Sequence, residues 1–264
     1  MDESRRRFLK IAGLSALGLA AKPGFDAAVA ESGKTQYKPG PKAIEAKRWA
    51  MVIDVKKFRE SGKEALQRCI DACHSIHNVP SFPNPKDEVK WIWTEPFGHL
   101  FPSQERMFLH DFEEEGLKGL PILALCNHCN HPPCVRVCPT KATFQRADGI
   151  VMMDMHRCIG CRYCMAACPF GARSLNWRDP RPFIKKPNPE YPTRTRGVVE
   201  KCNFCAERLA VGLQPACVEA CKNKEMVFGD LEDPESEVRK LLRDHFALRR
   251  KPQLGTHPQV YYLV

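Results

Sequence analysis

Past residue 30 the sequence has no apolar run near the roughly twenty residues that a membrane-crossing helix needs. The one earlier run, residues 11–21, is apolar but too short to span a bilayer. Nine histidines are present, and they form no recognisable set with a nucleophile or a base. A self-contained catalytic site would need an open metal or such a set within reach, so the chain reads as no enzyme on its own.

What the chain has is cysteine, fourteen of them, with 22 prolines and moderate apolar content. The run Cys158-Ile159-Gly160-Cys161-Arg162-Tyr163-Cys164-Met165-Ala166-Ala167-Cys168-Pro169 has the spacing C-x2-C-x2-C-x3-C-P. That is the spacing of bacterial ferredoxin ligation, in which three thiolates hold one 4Fe–4S cluster and the fourth reaches its neighbour. Gly160 allows the tight loop a positive φ, and Pro169 stops the helical turn expected to begin at the fourth cysteine. A second run, Cys126-x2-Cys129-x4-Cys134-x3-Cys138-Pro139, precedes it, and a third group, Cys202-x2-Cys205-x11-Cys217-x3-Cys221, follows. Isolated C-x2-C pairs also suit zinc, and an even cysteine count in an exported chain also suits disulfides. Neither explains two adjacent C-x3-C-P endings or the central C-x2-C-x2-C.

At the N-terminus, Ser4-Arg5-Arg6-Arg7-Phe8-Leu9-Lys10 resembles the twin-arginine export signal S-R-R-x-F-L-K, and an A-x-A site follows at Ala28-Val29-Ala30. Residues 1–30 are read as a signal peptide and residues 31–48 as a flexible leader. Export in the folded state suits a protein whose metal centres are assembled before it leaves the reducing cytoplasm. The expected location is the periplasmic side of the cytoplasmic membrane, peripheral and held by partner subunits. The formal charge of +10 becomes +8 without residues 1–30. Three clusters on twelve thiolates would bring it to about +2, which argues against nucleic-acid binding.

The pattern predicts strands at residues 49–55, 90–94, 150–153 and 260–263, and a turn at Asp148-Gly149. Helices are predicted over 63–77, with Ala65, Leu66, Cys69, Ile70 and Cys73 on one side, and over 103–115. A third is predicted through Asp244 with Asp233 as cap and Pro234 as first position. Residues 179–192, with five prolines, read as a solvated extended connection or as an arm for a partner subunit. The fold class is α+β: tandem bacterial ferredoxin-like units with short β-hairpins, short helices and long loops. Within 49–264 two units interleave, one over 120–178 and the other over 49–119 plus 195–264.

The three cysteine groups, their order and the x11 spacing resemble the iron–sulfur subunits of polysulfide and dimethyl sulfoxide reductase type over nearly the whole mature chain. The resemblance implies motifs that exchange their last cysteines. One cluster takes Cys126, Cys129, Cys134 and Cys168, a second Cys158, Cys161, Cys164 and Cys138, and a third Cys202, Cys205, Cys217 and Cys73. The first motif departs from the family: Lys57-Phe58-Arg59-Glu60-Ser61-Gly62 stands where cysteines would, and only Cys69-x3-Cys73 remains. Three 4Fe–4S clusters are expected and not a fourth; His74 and His77 read as structural rather than as ligands. The same pairing places Cys69 and Cys221 at the vacated site, as a disulfide or as two buried thiols.

The truncated motif, with Ala72-Cys73-His74-Ser75-Ile76-His77-Asn78-Val79-Pro80 and Trp91-Ile92-Trp93-Thr94, is similar to the periplasmic iron–sulfur subunits of membrane complexes in sulfur-metabolising prokaryotes. That likeness implies electron relay between a multi-pass quinone-handling membrane subunit and a multihaem cytochrome c, among further subunits, in dissimilatory sulfur metabolism. The alternative is an equivalent relay in another quinone-linked reductase or hydrogenase complex acting on polysulfide, nitrite or hydrogen. Arg162, Arg173 and Lys201 stand beside ligand positions, either to raise cluster potentials or as plain surface charges or partner contacts.

Overall fold

The structure, a computed structural model, describes residues 34–35, 40–102, 117 and 119–264. The expected signal peptide, the first part of the leader and the helix expected over 103–115 lie outside the described residues. The chain divides into two units: Met1–Gln36, described only at strand β1 (Lys34–Thr35), and Tyr37–Val264.

The second unit starts with β2 (Trp49–Asp54) and runs directly into α1 (Val55–Ile76). The Asp54 carboxylate caps this helix by accepting from the Lys57 amide at 3.0 Å. At Gly62, φ is +76°, a kink open to glycine, and the helix then continues with Ala65, Leu66, Cys69 and Cys73 buried along one face. The stretch that would hold the missing cysteine loop is therefore helical. There follow β3 (Ile92–Pro96), α2 (Phe97–Leu100) and β4 (Pro121–Leu125), with β3 antiparallel to β4.

The middle of the chain alternates single helical turns with short strands: α3 (Pro133–Arg136), β5 (Thr143–Arg146), β6 (Val151–Met153), α4 (Tyr163–Ala166) and β7 (Ser174–Leu175). β5 and β6 form an antiparallel hairpin around the Asp148-Gly149 turn. The C-terminal part holds β8 (Val199–Glu200), α5 (Ala206–Leu209), α6 (Ala216–Glu219), β9 (Met226–Asp230), α7 (Glu237–Asp244), β10 (Ala247–Leu248) and β11 (Val260–Leu263). This is an α+β architecture of small sheets and short helices, and no described helix is long and apolar enough to cross a membrane.

The largest sheet has the order β10-β11-β2-β9, with β11 parallel and β9 antiparallel to β2. β2 is apolar on both faces because both are covered. Trp49, Met51 and Ile53 enter the main core, while Ala50 and Val52 pack with Val227, Val238 of α7 and Leu263. The start of α7 differs from the sequence expectation. Ser236 is the cap, its hydroxyl accepting from the Arg239 amide at 3.2 Å while donating to the Asp230 carbonyl at 2.5 Å. That tether to the end of β9 sets the helix start, and Asp233 only closes the preceding turn.

The proline-rich connection folds back on its own chain. Phe183 packs on Phe82 with ring centroids 4.6 Å apart, and Asn78 donates to the carbonyls of Asn188 and Tyr191. Beyond it, Arg194 and Glu200 form a buried ion pair with Nη2 to Oε2 at 2.5 Å. Arg194 also donates to the His77 and Asn78 carbonyls, and Glu200 accepts from Trp91 Nε1 at 2.9 Å and from Asn176 Nδ2. Each charge is thus paired with the other in the interior, and removing one strands its partner. Glu200→Ala is expected to cost about 3–5 kcal/mol. At 2–4 °C per kcal/mol that is a fall of roughly 6–20 °C in Tm, with Arg194→Met/Glu200→Leu recovering part of it. A single variant melting with the parent protein would contradict this.

Candidate metal centres

The described residues gather twelve of the cysteines into three sets of four. Cys126, Cys129, Cys134 and Cys168 line one small cavity, together with Pro132, Phe170 and Arg173. Cys138, Cys158, Cys161 and Cys164 line a second. Cys202, Cys205 and Cys217 surround Cys73, whose thiol is pushed well up in pKa by burial and then by those three neighbours. In each motif the helical turn carries the third cysteine: Cys134 on α3, Cys164 on α4 and Cys217 on α6. The fourth follows the turn rather than opening it, as at Cys168, whose amide donates to the Met165 carbonyl at 3.2 Å. Closing the turn is what sends Cys138 and Cys168 across to each other's cavity.

Gly160, between Cys158 and Cys161, has φ +67°, and a Cβ there would collide with the Gly197 carbonyl oxygen. The loop therefore lies directly against the backbone leading into β8. Arg162, two residues on, is exposed and stacks over Trp177 at 5.2 Å.

Burial dominates the electrostatics. It raises the Cys129 thiol to about 12, with Cys126 as the next contribution, and raises Cys202 to about 12, again with Cys126 next. The second value shows that the first and third sets are neighbours. Four thiols around one cavity, with no imidazole and no carboxylate lining the first two, are the donor set of a 4Fe–4S cluster. As bare thiolates they would repel one another, and a cationic inorganic core removes that repulsion.

Two residues that sequence reasoning treated lightly stand out. His128 is buried and stacks on Phe204 at 3.6 Å. Its Nδ1 accepts from the Val151 amide at 3.1 Å, and burial, then Lys201 and Arg173, hold its pKa well below normal, so the ring is neutral. The signal was present in two matching tetrapeptides, Cys126-Asn127-His128-Cys129 and Cys202-Asn203-Phe204-Cys205, whose third residues stack on each other. His77 is buried against Trp91, with Nε2 2.8 Å from Glu207 and Nδ1 2.9 Å from the Cys73 carbonyl. Burial pushes Glu207 up, but the His77 and Asn203 hydrogen bonds outweigh it and hold the carboxyl below its usual range. His74 Nε2 lies 3.2 Å from the Ile92 carbonyl oxygen. The remaining cysteines, Cys69 and Cys221, have Sγ atoms 3.2 Å apart.

Comparison with known proteins places the chain. Residues 121–182 and 188–231 match the 4Fe-4S dicluster domain. The Hdr-like menaquinol oxidoreductase iron-sulfur subunit 1 of Archaeoglobus fulgidus is 41% identical over 98% of this chain and 97% of its own length. A tetrathionate reductase subunit of Salmonella typhimurium is 34% identical over 100% and 89%, respectively. The menaquinone reductase iron-sulfur cluster-binding subunit of Nitratidesulfovibrio vulgaris is 36% identical over 82% and 88%. The chain belongs to this family of iron–sulfur subunits. Its role is that of an electron-transfer subunit of a menaquinol-linked oxidoreductase complex.

In this iron–sulfur subunit, two of the three flanking cations are buried rather than superficial. Arg173 donates from Nη2 to Cys134 Sγ at 3.1 Å and from Nη1 to Thr143 Oγ1 at 3.1 Å. It also faces Cys164 of the second set, so one guanidinium serves two cavities. Lys201 Nζ donates to the carbonyls of Val151 and Cys202. A fixed positive charge favours the more negative, reduced state of a nearby cluster. Arg173→Leu is expected to lower the reduction potential of a cluster held by the first or the second set by tens of millivolts and to leave one at the third set unshifted, read by an EPR-monitored redox titration. An equal shift of every cluster signal, or none, would contradict that placement.

Proposed function

We propose that the chain holds three 4Fe–4S clusters and relays single electrons between a quinone-handling membrane subunit and a multihaem cytochrome c in a complex of dissimilatory sulfur metabolism. The observation that carries the reading is the gathering of twelve thiols into three neighbouring sets of four. When bound, such clusters supply one-electron oxidation and reduction. The chain's own part is to hold and tune them. The first set is held by Cys126, Cys129, Cys134 and Cys168, the second by Cys158, Cys161, Cys164 and Cys138, and the third by Cys202, Cys205, Cys217 and Cys73. Amide donors from Thr143 to Cys138 and from Phe204 to Cys202, at 3.5 and 3.4 Å, direct positive dipole at sulfur. Arg173 links the first and second sets, and Cys126 stands near Cys202 of the third, which gives the row third–first–second.

The truncated first motif and the Trp91-Ile92-Trp93 strand support a subunit of the DsrO kind, from the Dsr membrane complex. The identity to a menaquinol oxidoreductase subunit supports a quinone-linked complex. On this reading the chain is exported by its twin-arginine signal and sits peripherally on the periplasmic face, held by those partners. A second reading, the same relay in another quinone-linked reductase, has the likeness to tetrathionate and menaquinone reductase subunits in its favour.

Anaerobically purified protein is expected to carry about twelve irons and twelve sulfides per chain, with reversible one-electron titration. Cys134→Ser should lose the first cluster and interrupt quinol-driven reduction of the cytochrome in the intact complex. Colourless protein, or zinc in place of iron, would overturn the reading. A complex that passes electrons to no cytochrome would favour the second one.

A further inference from the structure

Cys69 and Cys221 are the two cysteines that the three sets leave over. Cys69 lies on α1 four residues before Cys73, and Cys221 follows α6 four residues after Cys217. Residues four apart on a helix share a face. The contact of α1 with α6 that brings Cys73 to Cys217 therefore brings Cys69 to Cys221 one turn away. Their sulfurs are 3.2 Å apart across 152 residues of sequence, and Cys221 Sγ donates to the Cys217 carbonyl at 3.3 Å. The described residues place no third metal-ligating side chain with them: the one such group is His77, Cys205 and Glu207, which belongs beside the third set. The pair also differs in access, since Cys69 is 1% exposed and Cys221 is half-buried.

We propose that Cys69 and Cys221 are a thiol–disulfide exchange site that takes an organic disulfide as its oxidant. This rests on the cluster reading in one respect, that the other twelve thiols are engaged by iron. Cys221, the accessible member, gives up the proton it donates to the Cys217 carbonyl as it attacks the oxidant; an S–S bond to Cys221 forms, the oxidant's own S–S bond breaks, and one thiolate leaves and takes up that proton. Cys69 then gives up its proton and attacks the Cys221 sulfur, the mixed disulfide breaks, and the second thiolate leaves. Two protein thiols lose two electrons, the oxidant gains them, and both protons end on the released thiols. The sulfurs need only approach from 3.2 Å to the bonded separation of about 2.05 Å. The product ties α1, which bears Cys73, to the end of α6, which bears Cys217, so the link braces two ligand-bearing helices one turn from the third set.

The test uses the cluster-replete protein, reduced, desalted and incubated anaerobically with oxidised glutathione, then alkylated and digested without reductant. Mass spectrometry is expected to find a linked peptide holding Cys69 and Cys221 as the major form of both, with iron unchanged at about twelve per chain. Cys69→Ser should trap Cys221 as a stable glutathione adduct, and Cys221→Ser should leave Cys69 without one. Free alkylation of both thiols after the oxidant, or arrest of the parent protein at the adduct, overturns the proposal. About sixteen irons with neither linkage nor alkylation would make the pair ligands of a fourth cluster and overturn it as well. Zinc in place of iron with the link intact would overturn the cluster reading and leave the exchange site standing.

Discussion

Everything in this fold answers to the burial of sulfur in fours. A thiolate taken out of water is costly, and four facing one cavity compound the cost by repulsion. The burial-raised pKa values of Cys73, Cys129 and Cys202 express that cost in the bare protein. The chain meets part of it with cations whose hydrogen bonds leave their charge directed inward. Arg173 engages a hydroxyl and a thiol, and Lys201 engages two backbone carbonyls. Such buried cations suit neighbours that carry net negative charge, as thiolate-bound clusters do.

The rest of the scaffold uses charge in the opposite manner. Arg194 and Glu200 neutralise each other and are further hydrogen-bonded to Trp91, Asn176 and the carbonyls at the end of α1. That pair fixes where α1 ends, and His77, held between Trp91 and Glu207, transmits the position to Cys73 through its backbone carbonyl. Cys73, on a long helix, is thus aligned by a polar network outside the cavity. The motif loops need less support because their spacers are short, and Gly160 lets one of them lie on bare backbone.

How much of this was legible beforehand follows from range. The strands at 49–54 and 260–263, the hairpin at Asp148-Gly149 and the α+β class were visible because periodicity and turn chemistry act locally. The start of α7 was misread because Ser236 is selected by a contact with Asp230 that no local pattern encodes. The proline-rich segment was left open between solvent and a partner, whereas Phe82 and Asn78, a hundred residues earlier, hold it. Arg173 and Lys201 stay open in the sequence between tuning a cluster and lying at the surface for the same reason: burial of a basic residue is decided by what folds over it. The helical turn was misplaced by one cysteine because spacing fixes the order of ligands but not where the backbone closes.

Fixed charge also grades the three sets along their row. Glu207, held ionised by His77 and Asn203, stands beside Cys205 and Cys73, and its negative charge opposes adding an electron to the third set. Arg173 acts in the opposite sense on the first and second sets. Solvation adds to the difference. Cys138, Cys158 and Cys161 of the second set are partly exposed, beside the exposed side chains of Ile159 and Tyr163, whereas all four thiols of the third are buried. Water stabilises the more highly charged reduced form. Glu207 and solvation thus favour an electron on the second set over the third, and Arg173 favours the first and second together, so a relay built on these residues is polarised by its own protein before any partner binds.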